Sequence, residues 1–141
     1  MTSLKAGDSL IKRYSRPDST DPEEATMATA KEILKRRPVD RKRLEKEAPN
    51  LYNGFNELMK QYYKPSALDR KYKELMAVTA SVATRCIPCL ANHMHNAVSA
   101  GATRDEVIDA AAIGVEFGGG PAFVVVREHL LAFLDEIAPN Q

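Results

Sequence analysis

Residues 74–95 read ELMAVTASVATRCIPCLANHMH, and this stretch organises the rest of the chain. It holds both cysteines, two of the three histidines and one carboxylate within an apolar run. Cys86, Cys89 and His93 are spaced C-x-x-C-x-x-x-H. On a helix each residue advances about 100°, so these three positions fall within an arc of roughly 60°. Residues three apart on a helix lie about 5–6 Å apart, within the Cα separation of about 4.4–6.8 Å that a disulfide accepts. The two thiols can therefore close and reopen a local disulfide with little backbone movement. Pro88 fits only the first turn of a helix. That places Cys86 at or just before the helix start and Cys89 inside the first turn.

A thiol reacts as thiolate, and a helix N-terminus or a nearby protonated imidazole lowers its pKa. Both influences are at hand. Cys86 is nearest the positive end of the helix dipole. Cys89 lies one turn before His93. Glu74, on the preceding antiparallel helix, is placed to orient His93 or to act as terminal base, directly or through water. This is a nucleophile, a base and an orienting group. Which sulfur leads is open on these grounds: the dipole favours Cys86 and proximity to the base favours Cys89.

Plainer readings stand beside this one. Two cysteines can pack as small hydrophobes. Glu74 lies four residues after Arg70, the spacing of an ordinary surface ion pair. Cys86, Cys89 and His93, with His95 or Glu74, have zinc-ligand chemistry, but three of them crowd one helix and no second cluster exists. His95 points away from Cys89 and reads as a surface or core histidine; His129 reads as packing.

Outward from this stretch the pattern is helical throughout. A polar, aperiodic segment of about 20 residues reads as a flexible N-terminal arm, and 21–141 as a single all-α domain. Asp21-Pro22-Glu23-Glu24 is a helix start, with a stop before Pro38. A short charged segment, Asp40 to Glu47, is broken at Pro49-Asn50. Leu51, Phe55, Leu58 and Tyr62 recur at helical spacing, so about 50–62 is a helix with an apolar stripe. Ser66 or Asp69 opens the next helix, whose stripe is Leu75, Val78 and Val82. Gly101 closes the cysteine helix, and Thr103 to Glu106 is a capping box. Gly118-Gly119-Gly120-Pro121 breaks the chain before a last helix to about Ile137.

A net charge of +1 gives no electrostatic footprint for nucleic acid, and the basic clusters alternate with acids. No continuous apolar run suggests a membrane span, and the N-terminus lacks a signal pattern, so a cytoplasmic location is expected. In a reducing compartment a lone C-x-x-C is more often catalytic or metal-binding than a structural staple.

Glu74, then Cys86-x-x-Cys89-x-x-x-His93, then Gly101-Ala102-Thr103-Arg104-Asp105-Glu106, then Gly119-Gly120-Pro121-Ala122, together resemble the carboxymuconolactone decarboxylase superfamily. Within it they resemble the alkylhydroperoxidase AhpD-like branch, which carries E-x11-C-x-x-C-x-x-x-H. The resemblance covers about 45–136. It implies an all-α bundle of about six or seven helices, assembled as a homo-trimer or homo-hexamer. It implies a thiol-dependent peroxidase or disulfide reductase needing no added cofactor. Cys89 would attack the peroxide, Cys86 would resolve the sulfenic acid, and Glu74 and His93 would relay the proton. A lipoyl-type or thioredoxin-like dithiol would restore the thiols. Ile87-Pro88 departs from the fuller peroxidases, which can carry a histidine between the cysteines. Decarboxylase members lack the cysteine pair, so lactone decarboxylation is not expected. The alternative is a non-enzymatic redox or metal-binding module of the same fold.

Overall fold

Thr29 and Glu32 open the first of the described helices by exchanging bonds: each side chain takes the other residue's backbone N–H, at 3.2 and 2.9 Å. The computed structural model describes residues 27–139. Among the described residues there are six α-helices: α1 Ala30–Glu47, α2 Pro49–Tyr63, α3 Arg70–Ala83, α4 Ile87–Ser99, α5 Arg104–Val125 and α6 Leu131–Ile137. A single π turn, Val126–Leu130, joins the last two, and no strand occurs among the described residues. The fold is the all-α class read from the sequence. The arm over 1–20 and the helix start at Asp21-Pro22 lie outside the described residues.

Two boundaries differ from the sequence reading. The chain is not helical at 27–29, so a helix does not run unbroken from Pro22 to Arg37. Nor does α1 stop before Pro38, which lies inside it, so Asp40 to Glu47 continues the same helix. Proline there removes the N–H that the carbonyl of Leu34 would accept from, at a cost of about 3 kcal/mol in a helix interior. Pro38 and its neighbours face solvent, where water can serve that carbonyl.

The centre of the bundle is α3 packed between α4 and α5, with Val78, Val82, Leu90, Met94, Val107 and Phe133 buried. The α3–α5 seam is close because glycine lies in it. A Cβ placed on Gly114 would come within 2.6 Å of the Thr79 carbonyl oxygen and 2.7 Å of the Val82 Cβ. Thr79 also donates its hydroxyl to the Ala110 carbonyl at 2.7 Å across the same seam. Gly114→Ala must push backbone apart, and is expected to destabilise the protein by about 1–3 kcal/mol. A urea unfolding midpoint equal to that of the parent protein would contradict this close approach.

The stretch Arg104–Ile137 has the length and hydropathy of a membrane span by composition alone. Its geometry is that of a packed element. It kinks at Gly119 (φ 65°, ψ −156°) and buries Val107, Ala111 and Gly114. The glycine-proline break read at 118–121 is therefore a kink within one helical course.

α2 is unlike the other long helices: it buries no residue. Its apolar stripe faces outward, with Leu51, Phe55, Leu58 and Tyr62 each 46–65% exposed. The partly covered face is Tyr52, Asn56, Met59 and Tyr63. Polar bonds fasten it. Arg41 of α1 donates to the Tyr52 hydroxyl at 3.3 Å and to Asn56. Lys73 of α3 donates to the carbonyls of Tyr62 and Lys64 at 2.9 and 2.6 Å.

Candidate active site

The turn between α3 and α4 sets the position of the dithiol. α3 ends with Arg85 in a left-handed conformation (φ 58°). The Cys86 N–H then donates to the Ser81 carbonyl at 2.9 Å, and the Arg85 N–H to the Val82 carbonyl at 3.0 Å. These two bonds form a Schellman closure, usually made with glycine. The residue that completes it, Cys86, is also the N-cap of α4. One sulfur-bearing residue thus ends one helix and begins the next, with Pro88 in the first turn of α4. No acidic residue sits in that turn to offset the positive helix end.

Cys86 and Cys89 are joined as a disulfide with Cα atoms 5.2 Å apart. Both are partly exposed, as is Ile87 between them. His93 follows Cys89 by four residues on the same face of α4. Its Nδ1 lies 2.8 Å from Oε2 of Glu74. Glu74 is 1% exposed, so the surface ion pair considered for it does not describe its setting. Arg70 does approach its other oxygen, Oε1, at 3.4 Å, but from a side chain 56% exposed. With Glu74 ionised, Nδ1 carries the proton donated across that bond. The neutral ring then presents Nε2 as its free base.

The site has members that the sequence reading did not name. Tyr63 of α2 stacks on the His93 ring, with centroids 5.8 Å apart and planes 12° from parallel. Burial, and then the charge of Glu74, raises the Tyr63 pKa, so it remains a phenol. Asn92 and Asn96 of α4 face the same cleft. No spacing along the chain signals Tyr63, because it arrives from a helix whose apolar pattern points the other way. The asparagines had a weak signal: Asn92 and Asn96 flank His93 on the cysteine helix.

A cleft of roughly 1230 Å³ opens over these groups. Cys89, His93 and Glu74 line it, and Cys86 does not. His95 lies exposed on another side of α4. His129 is buried and packs on Phe133, with ring centroids 5.3 Å apart. Among the described residues no three His, Cys, Asp or Glu side chains are gathered as a metal would need. Both sulfurs are spent on each other, and the His93 Nδ1 is held by Glu74.

Comparison with known proteins places the fold in a family. The model of the carboxymuconolactone decarboxylase family matches residues 49–131, more than half of the chain. "Uncharacterized protein 4 in cox locus" of Paracoccus denitrificans is 33% identical over 85 residues, 60% of this chain and 76% of that one. A carboxymuconolactone decarboxylase family protein of Legionella pneumophila superposes with a TM-score of 0.69 at 35% identity, covering 75% of this chain and 95% of that one. A Thermotoga maritima protein of the same family, with a possible involvement in antioxidative response, superposes with a TM-score of 0.69 at 28% identity. It covers 76% of this chain and 90% of its own.

Proposed function

The chain belongs to the carboxymuconolactone decarboxylase family, and from that premise we propose that it is a thiol-dependent peroxidase of the AhpD-like kind. The observation that carries this reading is the contact between buried Glu74 and His93, one helical turn from a disulfide that closes on the cleft. A structural staple needs no oriented base beside it. A catalytic dithiol does.

The chemistry follows from the roles of the side chains. In the reduced protein, Cys89 gives its proton to the His93 Nε2 and attacks the terminal oxygen of a hydroperoxide. The S–O bond forms as the O–O bond breaks. The alkoxide leaves and takes the proton from His93 to become the alcohol. Cys89 is now a sulfenic acid, oxidised by two electrons. The Cys86 thiolate attacks that sulfur, the S–S bond forms, and hydroxide leaves as water with the thiol's proton. The sum is one hydroperoxide and two thiols going to one alcohol, one water and one disulfide. A second dithiol, lipoyl-type or thioredoxin-like, returns two electrons and two protons by exchange. Glu74 stays a carboxylate throughout; it holds Nδ1–H and balances the transient imidazolium. That only Cys89 of the pair lines the cleft supports Cys89 as the attacking sulfur.

The apolar side chains left exposed on α2 and α5, Leu51, Tyr62 and Phe117 among them, support assembly of copies as a trimer or hexamer.

The test is stoichiometric. Protein reduced with dihydrolipoamide and freed of excess reductant is expected to consume one equivalent of cumene hydroperoxide per chain. It should release one equivalent of alcohol and lose both titratable thiols. Thiol loss no faster than that of dihydrolipoamide alone would remove the peroxidase reading and leave the redox-active module.

A further inference from the structure

The cleft over Cys89 is divided by chemistry. Part of its lining is apolar, made by Ile33, Leu44, Phe55, Met59 and Ile87. Its α1 side carries Arg37 and Arg41, which also border an adjoining hollow lined by Lys42 and His95. Three of the other four cations of the cleft have carboxylate neighbours, and the fourth, Lys64, donates to the Gln61 amide oxygen at 2.8 Å. Arg36 is 3.0 Å from Asp40, Lys60 is 3.6 Å from Glu57, and Arg70 is 3.4 Å from Glu74.

Arg37 and Arg41 differ. Arg41 donates to neutral acceptors, the Tyr52 hydroxyl and the Asn56 amide oxygen. Arg37 makes no hydrogen bond and no ion pair among the described residues. Glu45, the carboxylate of the adjoining hollow, forms no ion pair with either. Burial, followed by the like charge of Arg41, lowers the Arg37 pKa, although an arginine stays protonated at any ordinary pH. Two guanidinium groups thus share one wall of the cleft with no carboxylate bonded to either, although Asp40 stands on the same wall paired to Arg36 and the charge of Glu74 reaches Arg37.

The size of the cleft points the same way. Small-molecule pockets run to about 300–1,000 Å³. Hydrogen peroxide has the bulk of about one or two water molecules, at roughly 30 Å³ each. A space of roughly 1230 Å³ with a partly apolar lining is far larger than that oxidant needs.

We propose that the cleft binds an amphiphilic anion, its apolar chain against the lining residues Ile33, Phe55 and Met59 and its head held by Arg37 and Arg41. Guanidinium is suited to this by its fork, which matches a carboxylate or a phosphate oxygen pair. Resting on the peroxidase reading above, this names the substrate class: a long-chain acyl hydroperoxide with an anionic head. The dithiol reduces it to the chain alcohol with the balance already given.

Binding is measured by calorimetry on the full-length protein in its disulfide form, with dodecanoate, dodecyl phosphate and dodecanol. At least one of the two anions is expected to bind tenfold or more tighter than dodecanol, and their ranking names the head group. Arg37→Glu is expected to erase that preference and to favour dodecyltrimethylammonium. Arg37→Lys should keep most of it, which separates charge from folding. Dodecanol binding as tightly as both anions, or an anion preference that survives Arg37→Glu, overturns the proposal. Because no turnover is needed, anion preference without peroxide chemistry would sink the redox reading alone. Hydroperoxide turnover indifferent to the head group would sink this one alone.

Discussion

Cys89→Ser is expected to lower hydroperoxide turnover with a dithiol donor by roughly 10³-fold or more, the largest effect of any single substitution, because it removes the nucleophile itself. Serine keeps the volume but has no accessible anion near neutral pH. Cys86→Ser is expected to stop turnover in a different way. Its Cys89 still faces the cleft, so the first step survives as a burst of one alcohol per chain. The sulfenic acid then has no resolving thiol and accumulates, to be trapped by dimedone and weighed by mass spectrometry. The helix dipole argued for the opposite order, with Cys86 as the more acidic thiol. Should Cys86→Ser be silent and Cys89→Ser give the burst, the roles are exchanged. If both variants turn over like the parent protein, the dithiol is not catalytic.

Glu74→Gln is expected to reduce the rate of the first step by about 10²–10³-fold, within the range of general acid–base catalysis. The two side chains have the same shape, and the site is buried at 1% exposure, so the difference is chemical. A carboxylate accepts a hydrogen bond from Nδ1–H at 2.8 Å. A glutamine can turn its NH₂ to that nitrogen instead. The ring proton then moves to Nε2, and the base that faces the thiol disappears. Even with the amide oxygen inward, the charge that steadies the imidazolium is gone. Stopped-flow consumption of thiol by hydroperoxide checks this. A rate within twofold of the parent protein would show that Glu74 serves packing rather than proton transfer.

The legible part of this site is the part that is local. Cys86 as helix start, Cys89 in the first turn and His93 one turn later follow from three-residue and four-residue spacings and from Pro88. The same holds for the Gly101 closure and the Thr103 capping box, each of which is complete within about six residues of chain. Thr29-Ala30-Lys31-Glu32 has the same capping pattern, yet the stronger-looking Asp21-Pro22 start drew the reading away from it. Pro38 misled because its rule concerns a lost hydrogen bond, and an exposed helix can make good that loss with water. Stripe logic gave α2 the correct helix and left open which of its faces turns inward. Leu51 to Tyr62 form the apolar side, but Arg41 and Lys73 hold the helix by the other one.

Groups brought together across helices were legible only as candidates. Glu74 was singled out by its distance before Cys86, while its burial and its contact with His93 depend on how α3 leans on α4. Tyr63 left no trace at all, since nothing in its own helix distinguishes it from Tyr62. The arginine pair looked like a solvated charge cluster, because composition cannot tell which cations find acids.

The absence of any buried side chain in α2 bears on how the site breathes. Opening energies within a native protein are smallest where few apolar contacts must be broken, so this helix is the wall that lifts at least cost. Lifting it would take Tyr63 off the imidazole face and open the Glu74 carboxylate to bulk water. Entry of a bulky guest and drying of the proton path would then be two ends of one motion.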